Sequence, residues 1–116
     1  MNTNPLIISA LSAIGIPVEP LKYTGYATEY IVFNDADNRA TGFANDEDVQ
    51  ETAWVQVHYF TKTNPKVKAK QIRKALRNAG FIYLSKSESY EDDTGFYHTI
   101  IEARITAASE TQEDDY

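Results

Sequence analysis

His58 and His98 are the only two imidazoles in the 116-residue chain, and so its first candidates for proton transfer or metal binding near neutral pH. A tetrahedral metal centre asks for further nitrogen, thiolate or carboxylate ligands beside such a pair. The chain has no cysteine, and neither histidine sits in a cluster of carboxylates. Each falls on a segment that reads as a long strand. If the two strands are neighbours the rings can meet, and ordinary hydrogen bonding on a sheet face is the expectation. G-x-S-x-G, the P-loop, G-x-G-x-x-G and H-E-x-x-H are all missing. "EDDTG" lacks the alternating ligands of a calcium loop and reads as a solvated turn. "NDADNRATG" offers Asn34, Asp35 and Asp37, but no glutamate stands at the twelfth position. No catalytic, cofactor-binding or metal-ligating residue is expected, and the chain is not expected to be an enzyme.

The other concentration of reactive groups is electrostatic. "TKTNPKVKAKQIRKALRNAGF", Thr61 to Phe81, holds seven of the eleven Lys and Arg residues and no acid. At about 100° per residue, Ala69, Ile72, Ala75, Leu76 and Ala79 share one arc of a helix, and Lys66, Lys70, Arg73, Lys74 and Arg77 share another. Cations three and four apart repel by roughly a few tenths of a kcal/mol per pair, so their partners must lie elsewhere. Three readings are open. The face can be merely solvated, with Arg73, Lys74 and Arg77 favoured by the negative end of the helix dipole. It can track a phosphate backbone, a reading that the net charge of -6 weighs against. Or it can meet acids on a second subunit. Asp35, Asp37, Asp46, Glu47, Asp48 and Glu51 form one acidic group, and Glu88, Glu91, Asp92 and Asp93 form another. Such segregation suits head-to-tail association, which makes a ring when it closes. The expected subunit interface is therefore Lys66, Lys70, Arg73, Lys74 and Arg77 against Asp35, Asp37, Asp46, Glu47 and Asp48, with Trp54 as an aromatic anchor.

The elements that must carry these groups follow from periodicity. Asn4 as a cap and Pro5 at the first position predict a helix over 5–14, ending at Gly15. "IPVEP" is extended, "LKYTGY" a loop, and "TEYIVFN" over 28–34 a strand. Residues 35–48 are rich in Asp and Asn, long for a loop, and read as a mobile loop or an extended hairpin. From 49 to 61 the period is two: Ala53, Val55, Val57 and Tyr59 face one way, Trp54, Gln56, His58 and Phe60 the other. Asn64 and Pro65 start the basic helix, 66–79, which stops at Gly80 with Phe81 packing back. Strands over 81–87 and 96–106 flank a polar turn, and 107–116 read as a disordered acidic tail. With 42 % apolar and 12 % aromatic residues there is one core's worth of chain. The fold class is α+β: a mostly antiparallel sheet of about four strands with two helices packed on one face, in a single domain over 1–106. Neither a signal peptide nor a membrane span is expected, and a cytoplasmic location is the simplest reading.

"EYIVFN", "WVQVHYFTK", "KALRNAGF" and "DDTGFYHTIIEARI" resemble, in order and spacing, the small tail-completion or tail-terminator (tail-to-head joining) proteins of long-tailed phages and prophages. The resemblance covers Glu29 to Ile105 and rests on diffuse apolar positions and a helix-Gly-Phe junction. It implies a non-enzymatic virion assembly protein that caps the tail tube, ends its polymerisation and offers a docking surface to the head connector. It also implies a hexameric ring formed on the tail, with the tube protein and the connector as partners, at the tail-head junction or in the host cytoplasm during assembly. No membrane and no specific nucleic acid enter that picture. A nucleic-acid-associated regulator using helix 66–79 is the alternative.

Overall fold

A computed structural model of the chain describes residues 2–41 and 50–108. The chain runs through α1 (Asn4–Leu11), a 3-10 turn (Ser12–Ile14), β1 (Val18–Pro20), β2 (Glu29–Thr41), β3 (Gln50–Thr61), α2 (Lys66–Asn78), β4 (Ile82–Glu91) and β5 (Phe96–Ala108). The five strands form one sheet in the order β1-β2-β3-β5-β4. All pairings are antiparallel but one: β1 runs parallel to β2, with Val18 opposite Ile31 and Pro20 opposite Phe33. The α+β class holds, whereas the expected count of four strands becomes five and the sheet is mixed. The added strand is the extended "VEP", too short and too rich in proline to register as a strand by propensity.

Period-two patterning decides which face of the sheet is covered. Ala53, Val55, Val57 and Tyr59 are buried on β3, and Ile31 and Phe33 of β2 and Ile101 and Ala103 of β5 join them. Ile7 and Leu11 of α1 and Ile72 and Leu76 of α2 close this core, each with essentially no exposed surface. Both helices thus lie on one face. The other, open face carries Trp54, Gln56, His58 and Phe60, each half-buried.

Termini of the helices follow local chemistry. α1 begins one residue earlier than the Asn4 cap implies: Thr3 holds the cap position without a capping bond, since its hydroxyl donates to Asp35 Oδ1 at 2.6 Å. α2 ends as its sequence indicates. Gly80 has φ of 103°, its N–H reaches the Arg77 carbonyl at 3.0 Å, and the Phe81 N–H reaches Leu76 O at 3.0 Å while the Phe81 ring is buried. Those two bonds satisfy the last carbonyls of the helix, and the left-handed residue between them is a glycine because a Cβ is costly there.

The long Asp/Asn segment is a hairpin limb, at least at its base. β2 continues to Thr41 and β3 starts at Gln50, with Asp35 opposite Val55, Asp37 opposite Trp54 and a bulge between. Pairing with an apolar neighbour strand overrides the poor strand propensity of these residues. The expected acids Asp46, Glu47 and Asp48 lie outside the described residues, as do 109–116 of the acidic tail. β5 itself extends to Ala108. Among the described residues no helix is long and apolar enough to cross a membrane.

Candidate functional site

The helical arc drawn from spacing is the arc the fold produces. Ala69, Ile72 and Leu76 are buried against the sheet, and Lys66, Lys70, Arg73, Lys74 and Arg77 are exposed. Two basic groups of α2 find partners. Lys68, half-buried on the flank, lies 3.9 Å from Glu29, whose other oxygen accepts the Tyr59 hydroxyl. Burial, first, and that hydrogen bond, second, push the Tyr59 phenol well above its ordinary pKa. The Arg73 guanidinium stacks 3.8 Å above the Tyr83 ring on β4. Lys66, Lys70, Lys74 and Arg77 make no ion pair among the described residues, which leaves a band of free positive charge along the helix.

Of the acids expected on the other side of the contact, Asp35 and Asp37 are among the described residues. Asp35 is held by Thr3 beside α1. Asp37 shares a row of the sheet with Trp54, and Trp54 in turn stands opposite Arg104. Trp54 therefore lies on the open face, away from α2. The basic residues come together as expected; Asp35 and Trp54 fall on opposite faces of the sheet, because the one-residue alternation of a strand separates what loop-like spacing left unresolved.

The open face holds what spacing alone could not assemble. Tyr23 stacks on Tyr30 at 4.4 Å between centroids, Tyr30 on Phe60 at 4.8 Å and Phe60 on His98 at 4.2 Å, forming a ladder of rings across β2, β3 and β5. Phe96 meets Tyr30 edge-on at 5.6 Å, and Lys62 sits over its ring at 4.4 Å. Burial, then the nearby Glu91 charge, then Tyr23 raise the Tyr30 pKa. His58 Nδ1 and His98 Nε2 share a hydrogen bond of 2.9 Å, and the other nitrogen of His98 lies 3.4 Å from Glu91. The two histidines meet on the sheet face as ordinary hydrogen-bonding groups. Among the described residues no three His, Cys, Asp or Glu side chains are grouped to hold a metal ion. The row above pairs Gln56 with Glu102 at 3.1 Å and Ser85 with Glu102 at 2.9 Å, and those bonds lower the Glu102 pKa. The signal for this face was the even-numbered set on β3; the loop residue Tyr23 gave none.

No family model and no curated protein matches the chain. A solved structure does. A chain of the "Virion of native gene transfer agent (GTA) particle" superposes with a TM-score of 0.53 at 12 % identity, covering 84 % of each chain. At that identity the likeness is one of fold.

Proposed function

We propose that the protein is a structural component of a phage-like particle, acting without catalysis, and that it caps the tail tube, ends its polymerisation and joins the tail to the head connector. The observation that carries this reading is the likeness of fold, over 84 % of both chains, to a component of a gene transfer agent virion. The resemblance of Glu29 to Ile105 to tail-completion proteins supports the finer assignment. Subunits in a hexameric ring meet through the basic face of α2, whose Lys66, Lys70, Lys74 and Arg77 have no partner among the described residues of their own subunit. The tube protein and the connector are the other partners, and the site of action is the tail-head junction.

The test is electron microscopy of the purified protein mixed with tail-tube protein encoded beside it. Rings at tube ends and a narrowed length distribution are expected. Arg73→Glu with Arg77→Glu should keep the fold and abolish both. Tubes of unchanged length with bare ends would overturn the reading. The exposed cations also favour a second possibility, a nucleic-acid-associated regulator that lays helix 66–79 along phosphates. That reading requires steeply salt-dependent binding to duplex DNA, and a gel shift at low salt decides it.

A further inference from the structure

The two edges of the sheet differ. β1 is three residues long, follows Pro17 and ends at Pro20, neither of which can donate to a ladder, so little strand can be added there. β4 is ten residues long and contains no proline, and every residue from Leu84 to Tyr90 is exposed. Its one irregularity is a bulge between Tyr83 and Ser85, at the end near α2's C-terminus. An open edge of that length offers its outward backbone groups to another strand.

The sequence of this edge is complementary to itself. Leu84-Ser85-Lys86-Ser87-Glu88-Ser89-Tyr90, laid antiparallel on a second copy about Ser87, sets Lys86 against Glu88 twice, Ser85 against Ser89 twice and Leu84 against Tyr90 twice. Leu84 and Tyr90 are large apolar side chains left 44 % and 52 % exposed by the single chain. The faces agree. Ser85 bonds Glu102 on the open side, and alternation carries Ser87 and Ser89 with it. Glu88 and Tyr90 fall on the helix side, where with Lys66 and Tyr97 they line a groove of about 380 Å³. Sliding the pair by two residues sets Glu88 against Glu88 or Lys86 against Lys86, and sliding it by one puts serines against the charged and aromatic side chains. Like charges directly opposite are unfavourable, so one register is selected.

We propose that β4 pairs with β4 of a second copy of the chain, antiparallel about a two-fold axis at Ser87, to make one continuous sheet. The contact is isologous. It is independent of the ring reading, whose contacts run through α2.

The chain's lack of cysteine makes the test direct. Ser87→Cys alone should form a disulfide-linked dimer on mild oxidation, or with a short bismaleimide where backbone geometry disfavours the disulfide. Ser85→Cys and Ser89→Cys should each cross-link poorly alone and efficiently when mixed. Sedimentation of the unmodified chain should show mass rising toward a dimer with concentration. Lys86→Glu or Glu88→Lys should weaken that association about tenfold, and the double exchange should restore it. Circular dichroism confirms that each variant folds. A monomer at all concentrations with uncross-linked Ser87→Cys overturns the pairing. So does Ser85→Cys coupling to itself as readily as to Ser89→Cys, and so does protection of the β4 amides only when tail-tube protein is added.

Discussion

His58 on β3 and His98 on β5 sit diagonally across neighbouring strands, since Phe60 stands opposite His98 and His58 opposite Ile100, and their ring nitrogens are 2.9 Å apart. In such a bond one ring supplies the proton and the other the lone pair, so a second proton has no place. Glu91 lies 3.4 Å from the far nitrogen of His98. Burial, and after it the charge of His98, hold the His58 pKa below its usual value.

Stability should therefore fall on mild acidification. Above about pH 6.5, His58 is neutral in folded and unfolded chains alike; below it the unfolded chain binds the proton first. The loss accumulates between the unfolded pKa and the depressed folded one. Because the pair is only half-buried, solvent screening keeps the effect small. Urea unfolding at pH 7.5 and 5.5 should give a lower midpoint at pH 5.5, and His58→Asn should narrow that difference. An unchanged difference in the variant would assign the effect to other groups, such as the carboxylates.

Gly80 tests how α2 is ended. A Cβ there would meet only Ile105 Cδ1 at 3.5 Å, an ordinary contact, so space is not the obstacle. The cost of Gly80→Ala lies in holding φ near 103°, about 1–2 kcal/mol for a residue with a side chain. Thermal unfolding should register that loss. Gly15→Ala, at φ of 86° with open space around it, should behave alike, whereas a neutral result at Gly80 would mean that the helix end shifts rather than strains.

These elements differ in how well the sequence announces them. α2 and β3 were legible because long amphipathic segments carry a strong period: the buried set Ala69, Ile72 and Leu76 and the buried set Val55, Val57 and Tyr59 are the predicted ones. β1 was not, because its pairing with Ile31 to Phe33 is non-local and two prolines mask it. The outer half of β2 was hidden by Asp35, Asp37 and Asn38, residues that favour turns until a neighbour strand completes their ladder. β4 outran its predicted end at 87 because an edge strand exposed on both sides has no apolar alternation to show. At the candidate site, the basic arc followed from spacing alone, but spacing cannot say which acid faces it. Only the register showed that Trp54 stands opposite Arg104 on the open face of the sheet.

Arg73 and Arg77 separate folding from assembly. Arg73 covers the Tyr83 ring and Arg77 touches no ring or acid among the described residues. Arg77→Ala should leave the unfolding midpoint within about 0.5 kcal/mol of the parent, as exposed substitutions do. Arg73→Ala should lose roughly 0.5–1 kcal/mol through the stacked contact. Equal losses at both positions, in parallel urea titrations, would mean that the stack on Tyr83 contributes nothing.

Thr99 is the polar residue that the core does not use. It lies on β5 between the buried Ile101 and the half-exposed Tyr97, opposite Tyr59 on one side and Glu88 on the other, and is wholly buried. Its hydroxyl has no hydrogen-bond partner among the described residues. A desolvated, unpaired hydroxyl costs about 1–3 kcal/mol, whereas a methyl of the same shape costs nothing to bury. Thr99→Val keeps the β-branch and the volume, so it should stabilise the fold by about 1 kcal/mol. Thr99→Ser keeps the hydroxyl and loses the methyl, and should destabilise by a similar amount, about 0.8 kcal/mol for one buried carbon. Guanidinium titrations of the two variants check both signs at once. A Thr99→Val protein less stable than the parent would show that the hydroxyl is bonded in solution.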